Sequence, residues 1–401
     1  MNVDDLAALT SPTGAALLAR LQAEDAATAD PLVLAQRLRA EGHEPALAAA
    51  AMTQLRLRAR AAAKFGERAE RLLLTPAGAE QATRAAVAAR HAERFLGAGV
   101  DRVADLGCGV GADALALRDA GLDVLAVDAD PLTAAVAAHN LGVDAPAGAR
   151  VEVRTADVTG GVVDELGPRD GAWFDPARRT GGGRRLFDPE ATSPPLSFVL
   201  ATAERVPATG AKLAPGLPHA VVPAGAEAEW TSVEGDVVEC ALWCGPLAHA
   251  GVARSATVLR HGRAHRVTSR DAVEVGVGAV GAFLHEPDGA VIRAGLVGTV
   301  AAPLGARLLD ETIAYVSTDD PTRSPFTHAY AVHDVLPFGL KSLRAYLRAR
   351  DVGPLTVKKR GTAVEPETLR KQLGLKGSVA ATVVLTRVQG RQSVLVVSPL
   401  G

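Results

Sequence analysis

One short stretch, residues 103–115 (VADLGCGVGADAL), limits what this chain can fold into more than any other. An apolar run leads into three alternate glycines, Gly107, Gly109 and Gly111, and an alanine-rich stretch with helical character follows. Backbone N–H groups and the positive end of a helix can approach a ligand closely only where no side chain obstructs them. The pattern therefore predicts a strand, a tight turn and a helix around a nucleoside-containing cofactor.

A carboxylate follows on the next predicted strand. Asp128 ends that strand about 20 residues after the turn, where its carboxylate can accept both hydroxyl groups of a ribose. A nicotinamide dinucleotide enzyme also fits this much of the sequence, because Gly107, Gly109 and Ala112 satisfy the looser G-x-G-x-x-A form. The turn and Asp128 alone leave both cofactor classes open.

Three further acidic positions separate the two classes. Asp105 lies two residues before the first glycine, where a carboxylate can face a cationic amino-acid moiety. Asp157 ends the third strand (VEVRTAD) and can accept from an adenine amino group. Asp175 and Pro176, in FDPARR, end the fourth strand above the crevice where α/β sheets bind ligands. A dehydrogenase does not need an acid-proline step there, so the set favours a different nucleoside cofactor.

The chain divides into three regions by its pattern. Residues 1–96 are predicted to be helical, with prolines at positions where helices can begin. From residue 97 short apolar strands alternate with helices, which predicts an α/β domain with a parallel sheet. Residues 227–243 (EAEWTSVEGDVVECALW) predict an antiparallel hairpin around a Glu-Gly-Asp turn.

Length and composition set the remaining bounds. A chain of 401 residues exceeds what one core usually supports, so two or three domains are expected. Three cysteines, an odd number too widely spaced for a disulfide scaffold, predict a reducing compartment, and Cys240 and Cys244, four residues apart, lack the second pair or nearby histidines of a zinc site. The ten histidines show no ligand spacing. The acidic amino terminus lacks a signal-peptide profile, and no apolar run reaches the roughly 20 residues of a membrane span. The expectation is a cytoplasmic protein without metal or membrane partners.

Charge is distributed unevenly along the chain. The whole chain has a net charge of −2, whereas residues 326–401 carry +8 and the remainder therefore −10. Four arginines also cluster in the glycine-rich loop after the acid-proline step, at positions 178, 179, 184 and 185. Basic residues also recur every four positions along a predicted helix, from Arg56 to Arg68, and we interpret this basic row as a face exposed to solvent. The polarised charge predicts a basic module directed at a polyanion.

Residues 72–175 resemble the class I S-adenosylmethionine-dependent methyltransferases. The segments LLLTPAGAEQATR, DLGCGVGADALAL, AVDADPLTAAVAAHNL and FDPARR are most similar to the trimethylguanosine-synthase-like branch. The tail resembles a THUMP-like domain, notably in LPFGLKSLRAYL, VKKRG and LRKQLGLKG. The resemblance implies a Rossmann-like, seven-stranded α/β sheet over residues 97–325, a helical region over 1–96 and a small α+β domain over 326–401.

The resemblance also implies roles for individual residues, with S-adenosylmethionine as the cofactor. The glycine turn would shape the cofactor site, and Asp105 would border the methionine end. Asp128 would hold the ribose and Asp157 the adenine. Thr75 and Gln81 lie in a stretch that often closes over the cofactor, which gives both a cofactor contact.

The substrate side of the site departs from the amine-methylating pattern N/D/S-P-P-aromatic. Asp175 and Pro176 are present, but Ala177 replaces the second proline and Arg178 the aromatic residue. Asp175 is expected to position the nucleophile, and Arg178 and Arg179 to bind substrate through stacking or phosphate contacts. The main hypothesis is an RNA methyltransferase. A small-molecule or protein methyltransferase, and a catalytically silent RNA-binding protein with the same fold, remain as alternatives.

Overall fold

The computed structural model describes residues 1–178 and 188–400. The helices are α1 (Val3–Thr10), α2 (Pro12–Ala23), α3 (Pro31–Ala40), α4 (Pro45–Phe65), α5 (Pro76–Gln81), α6 (Ala85–Gly97), α7 (Ala112–Asp119), α8 (Pro131–Gly142), α9 (Leu196–Arg205), α10 (Gly289–Arg293), α11 (Val297–Ala301), α12 (Leu340–Arg348) and α13 (Pro366–Leu373). Among the described residues, no helix combines the length and the apolar character required to cross a bilayer.

The strands are β1 (Arg102–Leu106), β2 (Asp123–Asp128), β3 (Val151–Thr155), β4 (Asp170–Phe174), β5 (Ala177–Arg178), β6 (Thr192–Ser193), β7 (Ala208–Leu213), β8 (Glu227–Val233), β9 (Asp236–Trp243), β10 (Arg254–Arg260), β11 (Arg263–Thr268), β12 (Phe283–Pro287), β13 (Arg307–Asp310), β14 (Ile313–Thr318), β15 (Thr327–Pro337), β16 (Val352–Lys359), β17 (Val379–Val388) and β18 (Arg391–Pro399). The four strands predicted after residue 97 are confirmed as β1 to β4, and the predicted hairpin as β8 and β9.

The large sheet has the strand order β11-β10-β8-β9-β7-β4-β1-β2-β3. Parallel pairing joins β1 to β2 and β4, β2 to β3, and β4 to β7. This is the mostly parallel α/β sheet that the sequence predicts. The strands from β3 to β8 in this order make up the expected seven, and β10 and β11 extend the sheet to nine, with β10 parallel to β8 and antiparallel to β11.

The chain forms two compact units. The first comprises residues 1–213 and 242–249, and the second comprises residues 214–241 and 250–401. In the second unit a seven-stranded sheet has the order β13-β14-β12-β15-β18-β17-β16. Strands β12 to β14, which precede residue 326, thus share a sheet with the strands that follow it. In this order three strands separate β12 from β16, yet the Lys358 amine on β16 lies 2.6 Å from the Glu286 carboxylate on β12. The sheet must therefore be strongly curled to bring these two strands together.

The amino-terminal helices begin where the prolines predict. Pro12, Pro31, Pro45 and Pro76 each lie in the first turn of their helix, where the missing N–H has no intrahelical partner to lose. Along the longest of these helices, α4, an apolar stripe is buried. Its members are Leu57, Ala61 and Phe65, and Ala69 continues it beyond the end of the helix.

The basic row beside that stripe is only partly a solvated face. Arg56 and Arg60 are exposed, as expected. Lys64 instead donates to the carbonyl oxygen of Glu80, and Arg68 forms an ion pair with Asp119 at 2.6 Å. Lys64 and Arg68 therefore bind other segments of the first unit and do not form a solvated face.

Aromatic side chains fill the core under the first sheet. Trp173 on β4 stacks on Trp243 with ring centroids 5.1 Å apart, and Phe95 of α6 meets both rings edge-on. Gly210 on β7 leaves room for these rings, because a Cβ there would lie 2.8 Å from Trp243. Trp173 and Phe174 are both fully buried. The strand before the acid-proline step therefore belongs to the core, and only the residues after it can face a ligand.

Candidate cofactor and substrate site

The glycine turn connects the end of β1 to the start of α7. Gly107, Gly109 and Gly111 have φ of +93°, +56° and +88°, a region that side chains other than glycine rarely adopt. A Cβ on Gly107 would also lie 2.8 Å from the carbonyl oxygen of Asp175. The turn thus needs glycine for its conformation, and it packs directly against the chain after β4.

Asp128 fixes the turn from the neighbouring strand. One carboxylate oxygen accepts from the N–H of Gly109 at 3.0 Å and the other from the N–H of Asp130 at 2.9 Å. Burial raises the pKa of this half-buried carboxyl, and the two N–H contacts oppose that shift. A carboxylate has about four lone-pair positions, so Asp128 retains capacity to accept two further donors.

Asp105 is buried on β1 next to the turn. It is 1% exposed, and its carboxylate oxygens have no hydrogen-bond partner of ordinary geometry, although the N–H of Ala114 in the first turn of α7 faces it and opposes the rise in its pKa. Burial, together with the nearby carboxylates of Asp113 and Asp175, raises its pKa well above the usual range. Buried polar groups are ordinarily satisfied, and a buried unpaired carboxylate is costly. The position suits a cationic group on a ligand.

A buried polar chain lies beside Asp105. Thr83 donates to one oxygen of Asp113 at 2.6 Å, and the other oxygen lies 2.7 Å from Nδ1 of His91. Burial alone would raise the pKa of Asp113, but the His91 contact and the nearby Lys212 ammonium outweigh it and the pKa is lowered. These residues link α6 to the first turn of α7.

Lys212 on β7, like Thr83, His91 and Asp113, is a residue of the site that the sequence did not predict. Its ammonium donates to Asp175 at 2.7 Å, to the Thr83 hydroxyl at 3.1 Å and to the Gln81 carbonyl at 3.4 Å. Its side chain is 16% exposed. A lysine near the carboxyl end of a strand that adjoins β4 could have been a signal, but only once the strand order was known.

Helix α5 lies against the glycine turn. Thr75 caps this helix by accepting from the N–H of Gly78 at 2.9 Å. A Cβ on Gly78 would lie 2.2 Å from Cγ1 of Val110 in the turn. Gln81 is the exposed last residue of α5, and its carbonyl is held by Lys212. The structure therefore places α5, which Thr75 caps and Gln81 ends, beside the turn, and the contact of these two residues with a cofactor stays a prediction.

The chain before α5 is held by two buried amide side chains. Asn140 accepts from the N–H of Leu73 at 2.8 Å and donates to the carbonyl oxygens of Leu73 and Val110, each at 2.9 Å. Gln54 makes the same two-way contact with the backbone of Leu74. Because Asn140 bonds both segments, it fixes the start of α5 relative to the glycine turn.

Asp157 and Pro176 complete the set at the carboxyl edge of the sheet. Asp157 is exposed after β3, and one of its oxygens accepts from the N–H and the hydroxyl of Thr159 at 2.8 and 2.7 Å, contacts that lower its pKa. Pro176 is half-buried after β4. The carboxyl ends of parallel strands meet at one edge, so Asp128, Asp157 and Asp175 share that edge of the sheet.

The substrate-side arginines are less completely described. Arg178 lies in β5, which pairs with β6 so that Ala177 is opposite Ser193. The side chain of Arg178, and all of Arg179 and the two later loop arginines, lie outside the described residues. The predicted contacts of Arg178 and Arg179 with substrate therefore stay predictions.

The chain is similar in sequence to S-adenosylmethionine-dependent methyltransferases over most of its length. It is 36% identical over 341 residues to an uncharacterized S-adenosylmethionine-dependent methyltransferase of Mycobacterium tuberculosis, with the same figures for strains CDC 1551 / Oshkosh and H37Rv. Each match covers 83% of this chain and 90% of the relative. A crystal structure of a protein from Porphyromonas gingivalis W83, assigned as a methyltransferase, has the same fold, with a TM-score of 0.73 at 20% identity. That match covers 90% of this chain and 92% of the other.

Two family models match the ends of the chain. One is described as THUMP domain-like and matches residues 327–399. The other is a domain of unknown function and matches residues 2–61. The long match to the mycobacterial relative decides between the two cofactor classes that the glycine turn leaves open: the chain belongs to the S-adenosylmethionine-dependent methyltransferases.

Proposed function

We propose that this methyltransferase modifies RNA and aligns the substrate nucleophile beside Asp175. The part of the proposal that concerns the cofactor rests on Asp128. Its carboxylate accepts a hydrogen bond from the glycine turn and can accept further hydrogen bonds from a ligand. The RNA half is supported by the net charge of +8 over residues 326–401 and by the THUMP domain-like match in the same segment. We also propose the division of the chain into a helical region (1–96), a methyltransferase domain (97–325) and a THUMP-like domain (326–401).

The residues around the turn fit S-adenosylmethionine, which supplies an electrophilic methyl group on a sulfonium. Asp128 would accept from the ribose hydroxyls, and Asp157 from the adenine amino group. Asp105, buried without an ion pair, would face the cationic amino group of the methionine end. Thr75 and Gln81 would contact the cofactor from α5, which lies on the turn.

Methyl transfer asks mainly for alignment and for exclusion of water. Asp175 would position the nucleophile, and Lys212 would hold the carboxylate of Asp175 in one orientation through its 2.7 Å contact. Lys212 also bonds Thr83 and Gln81, so it connects this carboxylate to the segment that covers the cofactor. Pro176 restricts the backbone directly after Asp175. Arg178 and Arg179 would bind the substrate beside it.

The test is transfer of a radiolabelled methyl group into total RNA from cells that lack the protein. We expect wild-type protein to label RNA and Asp175→Ala to label it about 100-fold more slowly, since a small misplacement of a reacting group can cost that much. The matched control is Asp101→Ala, which removes an exposed carboxylate before β1, at the opposite edge of the sheet. Affinity for S-adenosylmethionine should be unchanged in both variants.

The result separates the proposal from its alternatives. Equal labelling by wild type and Asp175→Ala would remove Asp175 as the positioning residue. Labelling of a protein or small-molecule pool without labelling of RNA would favour the second class of substrate. Binding of RNA with no methyl transfer to any pool would identify a catalytically silent RNA-binding protein.

A further inference from the structure

Helices α12 and α13 each bury one face and expose the other. Leu343 and Leu347 of α12, and Leu369 and Leu373 of α13, are at most 1% exposed and pack in one core cluster of the second unit. Among the described residues, none of the exposed large apolar side chains belongs to either helix. The outer face of the pair therefore carries no exposed large apolar side chain, and the exposed Ala345 is small.

Cations converge on that outer face. Arg344 donates to the carbonyl oxygen of Gln372, and Arg348 donates to that of Gly374 at 3.3 Å, so both reach the carboxyl end of α13. Exposed lysines flank that end in the chain, and another lies one turn before Arg344. We call this set the α12–α13 basic surface; it consists of Lys341, Arg344, Arg348, Lys371 and Lys376.

These cations differ from their neighbours in having no acidic partner. Within residues 188–400 as described, none of the five lies within 4.0 Å of a carboxylate, and Nε of Arg344 has no hydrogen-bond acceptor. Other cations of the same segment are paired. The ion pairs are Arg350 with Asp334, Lys358 with Glu286, Lys359 with Glu365, Arg360 with Glu286 and Arg370 with Glu367. Arg387 on β17 and Arg391 on β18 also form no ion pair among the described residues, but they lie on strands, so the α12–α13 basic surface is the larger group of unpaired cations.

We infer that the α12–α13 basic surface binds the phosphate backbone of the RNA substrate. This rests on the proposed function for the choice of RNA. Lysine and arginine contacts to phosphates hold a nucleic acid in place without reading its bases. The absence of exposed large apolar side chains on the described residues of the two helices disfavours insertion into a lipid bilayer. The surface would orient the RNA, and the site near Asp175 would select the atom that is methylated.

The test uses the full chain with Lys341→Gln, Lys371→Gln and Lys376→Gln combined. These lysines make no hydrogen bond or ion pair among the described residues, so the triple variant should fold as the wild type does. The matched control combines Arg350→Gln, Lys359→Gln and Arg370→Gln, which removes the same charge from cations that are already paired. Binding of a fluorescent single-stranded RNA of mixed sequence is measured by anisotropy across a series of salt concentrations.

Each phosphate contact to a single strand contributes about 0.7 to the slope of log affinity against log salt. We expect the lysine variant to lose about 2 from that slope and to bind at least tenfold more weakly at low salt, with the control close to wild type. Equal RNA affinity and equal salt slope in the two variants would overturn the assignment of RNA to this surface, although the protein would still bind RNA. Absence of RNA binding by wild type would overturn the RNA half of the proposed function, and the surface with it.

Vesicles of anionic lipid supply the competing partner in the same assay. Wild-type binding to vesicles that the lysine variant loses, with RNA binding unaffected, would assign the surface to a membrane and contradict the inference. Affinity for S-adenosylmethionine should be the same in all three proteins, because the cofactor residues lie in the first unit.

Discussion

Asp105 is a carboxyl group in the core of the first unit without an ion pair and without a hydrogen bond of ordinary geometry, faced only by the N–H of Ala114 among the backbone groups that shift its pKa. An unpaired buried carboxylate destabilises the folded state, because no new interaction offsets the free energy of its desolvation. Proteins retain such groups where a ligand supplies the missing partner, and the cost to stability is then part of function. The position two residues before the glycine turn makes the methionine end of the cofactor the natural partner.

Replacing Asp105 by Asn separates stability from binding. The raised pKa means that the folded state holds the proton more tightly than the unfolded state. Stability from this group is therefore full below the ordinary aspartate pKa of about 3.9 and is lost as pH rises toward the raised value, by at most about 1.4 kcal/mol per pH unit. We expect the unfolding temperature of Asp105→Asn without cofactor to lack this decline, as measured by thermal melts from pH 4 to 8.

The same variant should bind S-adenosylmethionine about 10- to 100-fold more weakly, because a charge-assisted hydrogen bond contributes about 1.5 to 3 kcal/mol. Asp157→Asn is the contrasting control for the melts. Thr159 lowers the pKa of Asp157, so its contribution to stability is present at neutral pH and is lost on acidification. Identical pH profiles for wild type and Asp105→Asn would contradict the account of Asp105.

Gly107 gives a second test at the residue scale. In Gly107→Ala the new methyl group would meet the Asp175 carbonyl at 2.8 Å, whereas a methyl group on Gly121, which has φ of +88°, would have no atom within 4 Å. Both alanine variants carry the strain of a positive φ, about 1 to 3 kcal/mol. We expect calorimetry to show loss of S-adenosylmethionine binding only in Gly107→Ala. Equal affinities in the two variants would show that the turn does not approach the ligand.

Residues differ in how far the sequence can predict them. Gly107, Gly109 and Asp128 are predictable because their roles follow from local geometry, a turn after one strand and the end of the next. Lys212 is not, because its contact with Asp175 depends on β7 lying beside β4. That neighbourhood arises from the order of strands in the sheet, which no local pattern states.

At the scale of elements, the seating of α5 on the glycine turn is the contact most open to test. Gly78→Ala would press its methyl group against Val110, which is 3% exposed and has little room to move. We expect α5 to be displaced, with a loss of about 1 to 3 kcal/mol in stability and weaker S-adenosylmethionine binding.

A double-mutant cycle provides the control. Val110→Ala in the Gly78→Ala background removes the obstructing methyl groups and should restore part of both properties, with a coupling energy of about 0.5 to 3 kcal/mol. Chemical denaturation and calorimetry on the four proteins measure it. Strictly additive effects would mean that α5 and the turn do not depend on each other.

The elements themselves were predictable where one signal dominates. The prolines mark the starts of α2 to α5, and the apolar runs mark β1 to β4, because these signals are local. The extension of the large sheet by β10 and β11 is different. It depends on β10 pairing with β8 across 20 intervening residues, which periodicity within a strand does not specify.

At the scale of the whole molecule, charge and chemistry are divided along the chain. The residues around the glycine turn belong to the first unit, and the α12–α13 basic surface belongs to the second. The net charge of −2 conceals this division, which appears only when residues 326–401 are counted separately. The sequence could reveal that asymmetry, whereas the structure was needed to find which of the twelve cations in that segment lie together on α12 and α13 without an ion pair.

This division predicts different salt responses for the two ligands of one protein. Five phosphate contacts give a slope of about 3.5 for single-stranded RNA, so its affinity should fall about 100-fold between 50 and 200 mM salt. Binding of S-adenosylmethionine, through hydrogen bonds in a half-buried site, should change less than threefold. Anisotropy for RNA and calorimetry for the cofactor, in the same buffers, measure the two responses. Parallel responses would contradict the assignment of RNA to the basic surface.

The most direct measurement is a crystal structure of the chain with S-adenosylhomocysteine. The account predicts the ribose hydroxyls within hydrogen-bond distance of the Asp128 carboxylate and the amino group of the homocysteine beside Asp105, with α5 over the ligand. A ligand bound away from Gly109 and Asp128, or an amino group that leaves Asp105 unpaired, would contradict it.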